Sequence, residues 1–160
     1  MVHEMIDLDG FDRKLLASVQ ADASATNQEV GDRIGLSASQ VSRRRQRLEA
    51  AGVIRRYRAD IDPSAVGLDV IAFVGVSLAT HSPQNASRFQ KLIKALPQVQ
   101  EAHMLTGDMD YLLKVAVPDL KALSRLISDD LLPHEAVQNV KSFIAMETLR
   151  DDNQLPFEKG

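Results

Sequence analysis

Leu8, Phe11, Leu15, Leu16 and Val19 recur at three- and four-residue intervals, the spacing of one helix face, and predict a helix over residues 8–20 with Asp9 as its cap. Thr26-Asn-Gln-Glu29 has the form of a capping box, a hydroxyl for the third amide and a carboxylate for the cap's own. It opens a short helix with Val30 and Ile34 on one side, which Gly35 stops in the left-handed conformation. Ser37-Ala-Ser-Gln40 is a second box only two residues later and opens a helix to about residue 51, closed by Gly52. Two capped helices across Gly-Leu-Ser fit a helix-turn-helix. Residues 53–61 read as a short extended segment, and Asp62-Pro63-Ser-Ala-Val-Gly67 as a linker.

Beyond the linker the period changes. Val70, Ala72, Val74, Val76 and Leu78 alternate with Ile71, Phe73, Gly75 and Ser77, a strand apolar on both faces. Ser82-Pro83 starts a helix that buries Phe89, Leu92, Ile93 and Leu96 before Pro97 breaks it. Residues 99–106 and 111–117 read as strands joined through Gly107-Asp-Met-Asp110, and Asp119 caps a helix carrying Leu120, Leu123, Leu126, Ile127 and Leu131. A last strand is expected over 137–149 and a poorly ordered polar tail over 151–160. The class is α+β: a helix-turn-helix domain (1–60), a linker (61–68) and a βαββαβ ferredoxin-like domain (69–150).

Charge sharpens this division. The chain carries a net −3, yet residues 33–58 hold eight arginines, no lysine and a single acid, Glu49. Arginine suits bidentate phosphate and guanine contacts. On the helix opened by Ser37, residues Ser37, Val41 and Leu48 fall within about 40° and face inward. The opposite side presents Ser39, Ser42, Arg43 and Gln46, flanked by Gln40 and Arg47, side chains of the kinds that read base edges and phosphates. The helix N-terminus adds amides for a phosphate, and Arg55, Arg56 and Arg58 are placed to grip the flanking backbone. Arg44 and Arg45 lie nearer the inward face, where an internal ion pair or phosphate anchoring stands level with base reading. Double-stranded DNA is the expected partner.

Four strings carry a resemblance: Leu8-Asp-Gly-Phe-Asp-Arg-Lys-Leu-Leu16, Gly35-Leu-Ser37, Arg47-Leu-Glu-Ala-Ala-Gly-Val-Ile54 and Gly107-Asp-Met-Asp-Tyr-Leu-Leu113. With them the chain resembles the Lrp/AsnC (feast/famine) family of bacterial and archaeal regulators along nearly its whole length. The resemblance implies a winged-type helix-turn-helix, a ferredoxin-like (ACT-like) sensing domain, dimers that assemble further into octamers, and an amino acid as effector. It implies control of amino-acid metabolism genes, and of the regulator's own gene. Arg45 departs from the pattern, since the family usually places an apolar residue midway between Val41 and Leu48.

Thr106-Gly-Asp-Met-Asp-Tyr111 is the candidate effector site. Gly107 lets the backbone approach a ligand closely, Asp108 and Asp110 can accept from an α-ammonium group, and nearby amides can hold an α-carboxylate. Met104 is a candidate lining residue, and Met109 and Tyr111 complete the loop. The same string serves equally as a plain hairpin turn. In the resembled family this loop lies at contacts between subunits. The absence of cysteine excludes disulfides, zinc fingers and a thiol nucleophile. Four scattered histidines form no metal-ligand pair, and no phosphate loop or nucleophile elbow appears, so neither cofactor nor enzyme activity is expected. A tetrapyrrole decarboxylase on the same scaffold is the enzymatic alternative, but the strand histidine His103 lacks the tyrosine and arginine expected after it. A sensor acting through protein partners would leave the arginine cluster without a role. With no basic leader before an apolar run and no span of roughly 18 apolar residues, a cytoplasmic location is expected.

Overall fold

Asp9, Thr26 and Ser37 each start a helix by the same device. In α1 (Gly10–Ala21), α2 (Asn27–Ile34) and α3 (Ala38–Ala50), the cap side chain accepts from the third amide of the helix. The side chain at that third position accepts in return from the cap amide. Asp12 is the partner in α1, so this box joins two aspartates. Gly35 closes α2 at φ 78°, and both its amide and that of Leu36 donate to the Gly31 carbonyl. A side chain on Gly31 would meet the Leu36 carbonyl oxygen at 2.3 Å, so only glycine permits a turn this tight.

The computed structural model describes residues 6–151 and 154–157 and divides into two compact units. One comprises the described residues of 1–60 together with those of 150–160; the other is residues 61–149. Leu15, Leu16, Val19, Ala25, Val30, Val41 and Leu48 form the core of the first, with Leu8, Ile34, Leu36 and Ile54 packed around it. Phe11, expected among the apolar stripe of α1, is instead exposed, and Asp12 takes the buried place. Residues 53–61 pair with no strand, so no β wing forms there among the described residues.

Residues 154–157 of the tail correct another expectation, because they are docked rather than loose. The Gln20 amide donates to the Leu155 carbonyl and accepts from its N–H, each at 2.9 Å. Phe157 packs on the core of the first unit. Residues 152–153 and 158–160 lie outside the described residues.

In the second unit β1 (Val70–Leu78), α4 (Pro83–Ala95), β2 (Val99–Met104), β3 (Tyr111–Val117), α5 (Leu120–Arg125) and β4 (Val137–Ile144) follow in the expected βαββαβ order. The strands form one sheet in the order β2-β3-β1-β4 with every neighbouring pair antiparallel. After Arg125 the helix widens into a π turn over Leu126–Leu131, which seats both Leu126 and Leu131 in the core. Both helices cover the same side, where Phe89, Leu123, Leu126 and Leu131 meet Ala72, Val74, Val76, Leu113 and Val115. Two strands are shorter than expected. β2 stops because the Leu105 amide turns to the Asp110 carbonyl, and β4 stops where Ala145 makes the last bond to β1, at Ile71.

Among the described residues of this unit, no helix packs on the other side of the sheet. Phe73 stands beside Phe143 on β4 and Lys114 on β3, and Gly75 beside Leu112 and Lys141. The Phe73 and Phe143 rings are exposed. Met109 reaches back from the β2–β3 loop to lie on Gly75, where a Cβ would stand 1.9 Å from its sulfur.

Candidate nucleic-acid interface and ligand cleft

Asp12 on α1 ties α3 to α1 within the first unit. Its carboxylate is fully buried and accepts from three donors: the Asp9 amide at 3.2 Å, Arg44 Nη1 at 2.8 Å and Arg47 Nη2. Arg44 Nη1 also reaches Asp9 Oδ2 at 2.7 Å. Its guanidinium is held above the ordinary arginine range, by the Asp12 bond first and the Asp9 bond second. Asp9 is lowered in turn, by the Asp12 amide and then by Arg44. Arg44 also lies 5.6 Å from the Phe11 ring centre, which accounts for a phenylalanine left at the surface. Of the roles open to Arg44, the internal ion pair is the one formed: it braces α3 against α1 with only 23% of its side chain exposed.

The remaining candidates on α3 divide by what they already hold. Ser37 and Gln40 are engaged with one another in the capping box, with Ser39 Oγ a further 3.1 Å from Ser37 Oγ. Ser39, Arg43 and Gln46 are exposed along the outward side and Ser42 is half-buried beside them. Arg47 gives one nitrogen to Asp12 but keeps 47% of its side chain in solvent. Arg55, Arg56 and Arg58 are exposed. Arg45, the departure from the family pattern, donates to the Ala25 carbonyl at 3.3 Å and lies 5.7 Å from the Tyr57 ring centre. It thus replaces an apolar contact by a cation packed on an aromatic face.

In the second unit a cleft of about 320 Å³ opens where the β2–β3 hairpin meets the start of α4. Leu78, Ala86, Met104 and Leu105 supply apolar walls, while Asp110, His81 and Ser82 supply polar groups. Of the predicted effector residues, Met104, Asp110 and Tyr111 line it. Asp110 Oδ2 accepts from the Leu78 amide at 2.7 Å and Oδ1 faces His81 Nδ1 at 3.4 Å. Tyr111 is buried, its ring centre 4.7 Å from that of Phe89. Thr106, Gly107 and Asp108 stay on the exposed tip, and Met109 turns away to the open side of the sheet. His81 and Ser82, from the β1–α4 connection, and Pro83, the first residue of α4, are cleft residues that the sequence pattern did not mark as such. Among the described residues no group of three or more histidines or carboxylates is placed to hold a metal ion. No helix of the described residues is long and apolar enough to cross a membrane.

Comparison with known proteins decides the family. Residues 8–49 match the AsnC-type helix-turn-helix domain, and residues 71–155 match the Lrp/AsnC ligand binding domain. The chain belongs to the Lrp/AsnC family. The leucine-responsive regulatory protein of Escherichia coli K12 is 34% identical over 149 residues, 93% of this chain and 91% of that protein. A transcriptional regulator of Neisseria meningitidis, solved with L-methionine, superposes with a TM-score of 0.91 at 34% identity. That match covers 95% of this chain and 98% of the other. The feast or famine regulatory protein of Mycobacterium tuberculosis, also solved with L-methionine, gives 0.82 at 32% identity over 93% and 99% of the two chains. This Lrp/AsnC protein is accordingly a transcriptional regulator with a DNA-binding helix-turn-helix domain over residues 8–49.

Replacing Asp12 by Ala is expected to lower the unfolding free energy by about 2–3 kcal/mol. This is below the roughly 3–5 kcal/mol of a fully buried pair because Arg44 and Arg47 still reach water. Chemical denaturation of the two proteins measures it, and equal midpoints would mean that the carboxylate does not hold α3.

Proposed function

We propose that α3 reads the major groove through Ser39, Ser42, Arg43 and Gln46, with Arg47, Arg55 and Arg56 on the phosphates. Ser37 and Gln40 serve the reading helix as its cap, and Arg44 as its brace. The supporting observation is the exposed polar row Ser39, Arg43 and Gln46 on a helix whose opposite side, Val41 and Leu48, is fully buried. Serine, arginine and glutamine are the residue types that pair with base edges. The amides at the start of α3 and its flanking arginines supply the sequence-independent attraction.

The cleft beside α4 is proposed to take an amino acid with an apolar side chain. Asp110 retains acceptor capacity for an α-ammonium group, and the Ser82 hydroxyl, which accepts from the Asn85 amide, keeps its own hydrogen to donate to an α-carboxylate. Leu78, Ala86, Met104 and Leu105 form the wall for the side chain. The L-methionine held by the Neisseria and Mycobacterium proteins supports this class of ligand. Because the cleft borders the loop that carries Met109 to the open side of the sheet, occupancy and subunit contact share one segment. That open side, with Phe73, Leu112 and Phe143, is the proposed surface for a second copy, and the dimer in turn the unit of larger assemblies. Two copies would present two α3 helices to half-sites about one helical turn, or a multiple, apart. The genes controlled are those of amino-acid metabolism, the regulator's own among them.

Three measurements test this reading. Gel-shift titration on DNA upstream of the regulator's own gene is expected to show affinity falling steeply with salt. Arg43→Ala should cost about 1–3 kcal/mol there, whereas an unchanged affinity would remove Arg43 from the interface. L-Methionine is expected to raise the melting temperature in a screen of the twenty amino acids. No shift with any of them would remove the amino-acid reading of the cleft. Phe143→Asp is expected to leave a monomer in sedimentation, and an undiminished dimer would place the subunit contact elsewhere.

A further inference from the structure

After α3 the chain is tied down at two points, and two arginines stand between them. The first tie is made by backbone: the Gly52 amide donates to the Glu49 carbonyl at 2.9 Å, and the Val53 and Ile54 amides donate to the Leu48 carbonyl at 2.9 and 3.1 Å. The second is made by one side chain. Tyr57 Oη donates to Glu49 Oε1 at 2.7 Å, and the Arg45 guanidinium sits over the same ring. Arg45 also holds the Ala25 carbonyl in the turn before α2, so the tie reaches the body of the first unit. Between the ties lie Arg55 and Arg56, and Arg58 follows directly, all three exposed. A segment with neither helix nor strand would ordinarily wander, and three long cations on it would lose that freedom on meeting DNA.

We infer that Arg45, Glu49 and Tyr57 form a clamp that positions Arg55, Arg56 and Arg58 as a preset phosphate-binding arm beside the reading helix. None of the three clamp residues needs to touch DNA. Glu49 is an acid inside the most basic stretch of the chain, where it opposes phosphate binding unless it has a local task; Tyr57 gives it one. Arg45 supplies a cation to a ring face, which an apolar residue at that position would not do. The arm and α3 then approach the duplex as one body, and the ordering of three side chains is largely complete before they meet it. The inference rests on the DNA-binding role of α3 and adds the residues that hold its neighbour in place.

A cycle of variants on mixed-sequence duplex DNA tests it. The unaltered protein, Tyr57→Ala, the triple variant R55A/R56A/R58A, and the triple variant carrying Tyr57→Ala are titrated at several salt concentrations. The triple variant is expected to show a shallower salt dependence, by about 0.9 in the log–log slope for each phosphate it no longer neutralises. Tyr57→Ala is expected to weaken binding about tenfold, an ordinary coupling between interacting groups, and to have no further effect in the triple background. A change that merely loosened the fold would weaken binding in both backgrounds. Tyr57→Phe keeps the ring over Arg45 and is expected to fall between; it also carries the cycle if the Ala variant melts early. Full affinity in the Tyr57 variants, an equal loss in both backgrounds, or an unaltered slope in the triple variant would each overturn the clamp. Salt-independent binding by the unaltered protein would instead remove the DNA role of α3 itself.

Discussion

A carboxylate with no access to water sits between α1 and α3, and the seating of α3 depends on how its charge is met. Burying an ionised acid costs several kcal/mol unless donors replace the lost hydration. Asp12 has three, and two come from the helix that must be aimed. An apolar contact between the helices would supply adhesion without direction. Two guanidinium groups anchored to one carboxylate set both the height and the rotation of α3. The rotation matters because 100° per residue separates an outward side chain from an inward one. With Arg44 and Arg47 drawn toward α1, Arg43 and Gln46 are turned out.

Charge therefore works in two different ways along one short stretch. Some arginines serve the protein itself: Arg44 holds two aspartates, Arg45 a carbonyl and a ring. Others, Arg43, Arg55, Arg56 and Arg58, stay exposed. The second unit is organised differently, as a sheet sealed on one side by apolar helices that leaves aromatic rings on the other. The β2–β3 loop touches both sides of that sheet, through Asp110 at the cleft and Met109 on Gly75.

Patterns that act over a few residues were legible in the sequence. Thr26 and Ser37 cap as their boxes require, Gly35 turns left-handed, and alternation locates β1. What was hidden depends on partners far along the chain. Phe11 and Asp12 compete for the inward side of α1, and hydrophobicity favours Phe11; only the arginines some 32 and 35 residues away reverse the choice. Asp12 falls on the stripe of Leu16 and Val19, and an acid on such a stripe was the available signal. The wheel placed Arg44 between two roles because it measures angle, not the presence of a partner. The effector loop reads as one site in sequence, yet the pleat sends Asp110 and Met109 to opposite sides. The π turn after Arg125 left no mark in the pattern, since a single added residue per turn shifts no polar position far enough to notice.

The first unit is assembled from two stretches of chain with all of residues 61–149 between them. In the order of synthesis its three helices precede the second unit, and until residues 154–157 follow, their core lacks Phe157 at its outer edge and the Gln20 amide lacks Leu155. That edge is closed only after the whole sheet domain has been made. The nascent reading head thus has a period in which it is shaped but unsealed, and a polypeptide truncated within the second unit would carry the arginine surface without its final fastening.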